Sequence, residues 1–521
     1  MPEWTEGHFE RRAALDDLGI ESVGASLLQE MIPGVVENTP CAGYYAFYPF
    51  LLQEFEREQP EALLRADFQS FYRRHEAAFA AGCVRHEHRG PLLGLQGSLQ
   101  ASRAAQAAAE GNQILDRAAL AAPNAYMQTS LGGYSLFYRS ALENIGAIRH
   151  GMGNQIDRVT DDIGAPAAEG FRTAIAETDY WQNYRTKDEV PLAVLDELAE
   201  ATCPCDIPGR ADHEPIIDVL FGRRDQSDRW ASSRSYRVQS FGLLLEFHQQ
   251  RSDEDHGTGA WRRALISGRL PDGEEWTTRF VDHREAWRAY QIRETLVVAL
   301  GAVFTCFLRQ LEALGTARRR EVRELLVNEI LWTELGVKPD DPTERLLERI
   351  PDLYDDPADL IGLAESVMDI ETSNMSHALT SSVKLLFALA NGADGNDNFQ
   401  ALLDRGGPAR HSVKHNEEWF AHRRDLAVSQ VVAELIDNLV YRHLRVATQK
   451  LSVTDHRDPF CIADDDGIWR VIRSDDPFWT GARFNTMNNL LWTAGALTSP
   501  AHDARPTELG LSLLEGISND G

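Results

Sequence analysis

The chain has 521 residues, 80 of them acidic against 52 basic, for a formal net charge of -28 and a pI near 5.0. At roughly 150 residues per domain, that length provides about three folding units. A hydrophobic fraction of 43% dispersed among charges excludes wholesale disorder, and six cysteines, irregularly spaced, exclude a disulfide framework.

Lysine occurs only at Lys187, Lys338, Lys384, Lys414 and Lys450, so arginine supplies nearly all of the positive charge. An acid-rich, lysine-poor chain fits a salt-adapted cytoplasm, because molar salt screens carboxylate repulsion within about 3 Å while hydrated carboxylates keep the protein in solution. The plainer alternative is an acidic protein from a GC-rich genome. The start of the sequence, with Glu3, Glu6, Glu10 and paired arginines, lacks the basic start and apolar centre of a secretory signal. The longest apolar stretch, 296–308, is shorter than the ~20 residues that span a bilayer. A cytoplasmic protein with no membrane partner is expected.

In chain order, the pattern predicts a mainly α, multi-domain protein: an N-terminal helical domain over 1–160, a short-helix connecting region over 161–227, a central helical domain over 228–391, and a C-terminal unit over 412–521. After Gly24 and the turn pair Pro33-Gly34, an aromatic cluster opens a helix over Tyr44–Glu58. There Tyr44, Phe47, Tyr48, Leu51, Leu52 and Phe55 share one face by three- and four-residue steps. Core packing explains such a face better than base stacking, since a stacking platform needs a basic groove and arginines are few here. The alanine-rich stretch 101–122 reads as helix or a helical connection. From 161 to 221, frequent prolines mark short helices and turns.

A wide apolar stripe from Tyr290 through Leu296, Leu300, Phe304, Phe307 and Leu311 to Leu314 predicts a deeply packed helix. Further helices are expected over 317–335 and 357–390, with acidic Asp352, Asp355, Asp356 and Asp359 flanking a loop. Turn residues at 392–398 and 406–408 suggest a domain boundary between 391 and 412. Trp419 and a long helix carrying Val428, Val431, Val432, Leu435, Leu439 and Leu444 follow. Strands over 460–462 and 468–472 flank an Asp464-Asp465-Asp466-Gly467 turn.

Candidate chemistry is sparse. Cys203, Cys205 and His213 offer thiolate and imidazole ligands for zinc, although the single residue between the cysteines makes joint chelation awkward. Buried cysteines beside a turn are the competing account. His86 and His88 share one side of an extended segment but lack the i, i+4 spacing of a zinc protease, so surface histidines explain them as well. Acidic pairs such as Asp161-Asp162 and Asp340-Asp341 could hold magnesium, yet arise by chance in so acidic a chain. No phosphate-cradling glycine loop is present, and no cofactor is implied.

Residues 483–493 predict a helix with Phe484, Met487, Leu490 and Leu491 inward, stopped by Gly495, and Thr507-Glu508-Leu509-Gly510 leads into a last helix. This tail resembles that of a winged-helix fold, a small α+β unit. The resemblance implies that Arg483, Asn485, Thr486, Asn488 and Asn489 face a major groove, where arginine and asparagine read base edges. The nearby Asp464, Asp465, Asp466, Asp475 and Asp476 oppose phosphate binding, and the same unit could serve protein contact or core packing.

Three pieces, namely 24–49, Trp287-Arg288-Ala289-Tyr290-Gln291 with Glu294, and the winged-helix-like end, together resemble a family of large helical proteins associated with prokaryotic phage-defence or restriction-like gene clusters. The resemblance implies a non-enzymatic scaffold or sensor subunit of a DNA-targeting, antiviral assembly. Other protein subunits would then be partners, and double-stranded DNA a candidate ligand of the C-terminal unit. Two other classes stay open: a metal-dependent hydrolase or nuclease built from distant residues such as His86, His88, Cys203, Cys205 and His213, and a winged-helix DNA-binding regulator.

Overall fold

The computed structural model describes residues 16–60, 64–86, 98–122, 132–223, 231–251, 257–350, 357–392, 395–451, 459–479, 483–501 and 503–517. Helix dominates, and the strands among these residues form three short antiparallel pairs: Ile114–Asp116 with Glu189–Pro191, Ile148–Arg149 with Arg158–Val159, and Ile462–Asp465 with Ile468–Val471. The chain divides into two compact units, each assembled from separated segments. One comprises Met1–Leu27, Arg262–Arg269 and Glu285–Thr480; the other comprises Leu28–Trp261, Leu270–Arg284 and Gly481–Gly521. The boundary expected between 391 and 412 therefore falls inside a unit. Helix Asp397–Leu403 forms there, and its Phe399 and Leu403 are buried in the same core as Leu300 and Leu386.

In the larger unit, helix Tyr44–Glu58 has the predicted bounds. Its aromatic residues are buried among others: Phe47 stacks on Phe79 with ring centroids 4.3 Å apart, and Tyr44 lies 4.8 Å from Tyr138. Such ring pairs add about 0.5–1.5 kcal/mol each beyond area burial. The partner helix Gly164–Ile175 buries the small residues Ala167, Ala168 and Gly170, the last of them against the backbone of Ala211 and Asp212. Tyr45 Oη donates to the Gly34 carbonyl at 2.6 Å, and Gly34 has φ +81°, which explains the glycine of the Pro33-Gly34 turn.

The expected helix over 101–122 is interrupted. Helix Ser98–Glu110 ends at a turn in which Gln113 has φ 63°; strand Ile114–Asp116 follows, and Asp116 caps helix Arg117–Ala121 by accepting from the Ala119 amide at 2.8 Å. The strand forms because residues 189–191 supply its partner, which alanine content cannot reveal. Near the end of the chain, helix Phe484–Thr493 precedes helix Glu508–Gly516. Thr507 caps the latter by accepting from Gly510 N at 3.1 Å, and a side chain on Gly510 would collide with the Ala496 carbonyl. That collision is the physical content of the Thr-x-x-Gly pattern.

In the other unit, helix Val281–Leu314 contributes its residues from Glu285 onward, and Leu296, Leu300, Phe304, Phe307 and Leu311 are all buried in the unit's core. Among the described residues this one helix is long and apolar enough to cross a membrane, although 72% of its most apolar window is buried inside the protein. The expected helix over 317–335 is two, Arg319–Glu329 and Trp332–Leu335, and the helical periodicity over 357–390 is carried by Pro357–Ser366 and Met375–Ala390. Asp352, Asp355 and Asp356 lie outside the described residues. Gly24 lies against Tyr290 and Glu294, where a Cβ would clash with the Glu294 carboxylate. Two of the three resembling pieces are thus in contact.

The hairpin of Ile462–Asp465 and Ile468–Val471 turns through Asp466 and Gly467, both at positive φ, as a two-residue loop requires. Trp469 also exchanges backbone hydrogen bonds with Ala317 at 2.8 and 3.1 Å. This hairpin belongs to the unit containing Glu285–Thr480, whereas helices Phe484–Thr493 and Glu508–Gly516 belong to the other. The expected C-terminal unit over 412–521 is divided accordingly.

Candidate functional site

The face expected to read DNA is largely interior. Asn488 is 1% exposed, and Thr486 and Asn489 are buried as well. Asn488 Oδ1 accepts from His248 Nε2 at 2.7 Å, Asn489 donates to the Asn485 carbonyl, and Thr486 donates to the Glu37 carbonyl. Arg483 pairs with Glu37 at 3.3 Å; Asn485 is exposed. Polar residue type suggested an outward face, but a buried asparagine is tolerated wherever a partner satisfies it, and here the partner lies 240 residues away.

Of the zinc candidates, Cys203 and Cys205 lie side by side with Cys83 against Cys203, while His213 is engaged elsewhere. Cys203 is buried where helix Leu192–Thr202 ends, and burial pushes its thiol well above the usual range. Cys205 is half-buried, and His213 Nε2 is spent on the Ala494 carbonyl at 3.0 Å. His86 sits where helix Arg65–Arg85 ends; His88 lies outside the described residues.

Among the described residues one set of three metal-ligating side chains does converge: Asp17, His443 and Cys461, with ligand atoms within 4.8 Å of one another. Sequence spacing gave no sign of it, since the residues come from the start of the described chain, helix Val428–Lys450 and the segment before the hairpin. Each ligand atom is already occupied. His443 Nδ1 lies 3.1 Å from the Asp17 carbonyl and Nε2 accepts from the Cys461 amide at 2.9 Å, which assigns a neutral ring protonated at Nδ1. Burial lowers its pKa in keeping with that form. The Cys461 thiol donates to Asp17 Oδ2 at 3.2 Å, and burial followed by the Asp17 charge raises its pKa well above normal. Arg473 pairs with both Asp17 and Asp475. A cation here would have to displace an amide donor and sit beside a guanidinium, so the set acts as a latch on residue 17.

A second arrangement in the same unit is unsatisfied. A cavity of about 350 Å³ is lined by Pro408, His411, His415, Trp419, Leu435, Asn438, Leu439, Tyr441, Arg442 and Arg445. Its construction follows from helix geometry. On Val428–Lys450, positions 438, 441, 442 and 445 repeat at three- and four-residue steps and so share one face. Leu435 and Leu439 are buried beneath them. Across from this face, Ser412 caps helix Val413–Ala421 by accepting from the His415 amide at 3.0 Å, which places His415 and Trp419 one turn apart. His411, at φ 52°, turns inward, and its ring meets His415 edge to face at 5.0 Å.

The electrostatics of this cavity run against the chain as a whole. Arg442 and Arg445 line it, with Arg410 and Arg293 close to Arg442; none of the four forms an ion pair among the described residues, although Asp16 acts on Arg442 and Arg293, Glu294 on Arg293, and Glu418 and Asp404 on His415. Arg442 donates to the carbonyls of Leu18 and Ala409, Arg410 to that of Gly19, and Arg293 to those of Ile20, His411 and Arg410. Burial, with Arg445 and Arg410 adding to it, lowers the Arg442 pKa to about 10, which leaves the residue charged at neutral pH. Burial, then His415, Arg442 and Arg293, pushes His411 down to about 3. The His411 imidazole and the Asn416 side chain face each other in the interior beside the cavity. Chemically the cavity offers positive charge, a neutral imidazole and aromatic walls, a combination suited to binding an anion.

No protein-family model, curated protein or solved structure matches the chain.

Proposed function

We propose that this protein is a non-enzymatic sensor subunit: it binds an anionic ligand and acts through partner subunits that supply the chemistry. The observation that carries the reading is the cluster of arginines without carboxylate partners around the Trp419–Arg442 cavity, in a chain with 28 more acids than bases. Neighbouring arginines that lack ion pairs repel one another beside a cavity, a cost that binding an anion offsets. Further support comes from the latch at Asp17, where the converging histidine, thiol and carboxylate satisfy one another and leave no free base or nucleophile. The resemblance to defence-associated helical proteins adds the setting, a cytoplasmic DNA-targeting assembly in a salt-adapted prokaryote.

Size-exclusion chromatography of the full chain isolated from its source tests the proposal. Co-elution with partner subunits at fixed stoichiometry is expected. A solitary monomer that turns over a substrate refutes it.

A further inference from the structure

We infer that the cavity between helices Val413–Ala421 and Val428–Lys450 takes a nucleoside monophosphate, its phosphate on Arg442 and Arg445 and its base against Trp419 and Tyr441. This rests on the sensor reading and specifies its ligand.

The charge comes first. Arg442 and Arg445 stand at i and i+3 on one helix face, and Arg445 is exposed with no hydrogen bond or ion pair among the described residues. Two guanidiniums side by side repel each other, and a dianionic phosphate with several acceptor oxygens relieves both through charge-assisted hydrogen bonds. A single carboxylate neutralises one cation only. His411 is 9% exposed, and its imidazole forms part of the cavity wall.

Volume and wall composition then exclude a bare ion. Cavities that hold organic ligands begin at about 300 Å³, and this one is about 350 Å³. Inorganic phosphate, with five heavy atoms, leaves most of it empty. The rest of the lining is aromatic and apolar: Trp419, Tyr441, Leu435, Leu439 and Pro408. Arg423 stands 4.1 Å from the Trp419 ring centroid and Arg319 stands 4.3 Å from that of Tyr441. Neither arginine lines the cavity, so these cations hold the rings in place without filling it. Aromatic stacking contributes about 1–3 kcal/mol per base and tolerates any base, while exposed Asn438, with both donor and acceptor, stands at the rim to contact a base edge or ribose.

Calorimetric titration of the full chain with AMP, GMP, adenosine and inorganic phosphate tests the inference. AMP or GMP is expected to bind at least tenfold tighter than either adenosine or phosphate, because only the nucleotides satisfy both halves of the cavity. Arg445→Gln, which removes a side chain with no structural partner, should weaken nucleotide binding about tenfold, equal to 1.4 kcal/mol, without lowering the melting temperature of the free protein. Trp419→Leu should weaken nucleotide binding and leave phosphate binding as it was. If phosphate binds as tightly as AMP and GMP and both responses vanish in Arg445→Gln, the nucleotide assignment falls while the anion sensor stands. If none of the four ligands binds, both fall.

Discussion

His248 Nε2 donates to Asn488 Oδ1 across 2.7 Å in the interior of the unit that contains both, and Arg251 Nε donates to His248 Nδ1 at 3.1 Å. One ring nitrogen gives and the other receives, so the imidazole is held neutral. Burial, together with the positive charge of Arg251 and Arg505, pushes its pKa down to about 3.

Because Asn488 fills a structural role, Asn488→Ala should destabilise the protein by about 1–3 kcal/mol, the cost of a buried donor left unpaired. Chemical denaturation measures it. Wild-type stability in the variant would return Asn488 to the set of candidate DNA contacts.

Acid should unfold this protein before its carboxylates titrate. His248 and His283 both have folded pKa values of about 3, below the unfolded value near 6.5, so the stability they contribute is complete above pH 6.5 and is lost as pH falls toward 3. Each contributes a slope of up to about 1.4 kcal/mol per pH unit. His283 lies 2.7 Å from Ser240 Oγ, and His283→Gln retains a donor without a titrating group. Denaturation between pH 7 and 4 should show a shallower loss in that variant, and parallel curves would refute the assignment.

Glu76 has the opposite sign. Burial raises its pKa to about 7, outweighing the hydrogen bond from Tyr48 Oη at 2.6 Å and the nearby Arg73 charge, both of which lower it. A folded pKa above the unfolded one means that its contribution is complete below about pH 4.5 and declines as pH rises through 7. Relative to wild type, Glu76→Gln should gain stability progressively between pH 5 and 8, by up to about 3 kcal/mol. A difference that does not vary with pH would show that Glu76 ionises normally.

The Asp17 latch predicts indifference to metal. Melting temperature should not change on adding zinc or a chelator, whereas Arg473→Ala should cost about 3 kcal/mol or more by leaving Asp17 without its cation. Asp17 and Arg473 have side chains 19% and 18% exposed, which keeps solvent screening modest. Stoichiometric zinc in purified protein would overturn the latch and revive the metal-dependent hydrolase.

A surface this acidic should need salt. Circular dichroism is expected to show partial unfolding in dilute buffer and recovery in molar KCl, where repulsion is screened within about 3 Å. Full stability in dilute buffer would favour the alternative of an ordinary acidic protein.

Periodicity made long elements legible. Tyr44–Glu58 and the Val428–Lys450 helix follow from apolar residues at three- and four-residue steps, and the helix start at Glu508 from Thr507 and Gly510. The same signal could not show where 317–335 breaks at Ile330, or that strand Ile114–Asp116 would interrupt an alanine-rich helix. Neither site was visible. Asp17 meets His443 across 426 residues, and the pairing of Arg442 and Arg445 on one cavity wall depends on what packs across from their helix.

From residue order alone came the helical class, the acidic and arginine-rich balance, and the caps and turns, all of which depend on neighbours within a few positions along the chain. Folding decided which asparagines became interior, which thiols and histidines satisfied one another, and which arginines remained without acidic partners. Burial and pairing of this kind depend on distances in space, and the two compact units are each built from separated stretches of sequence.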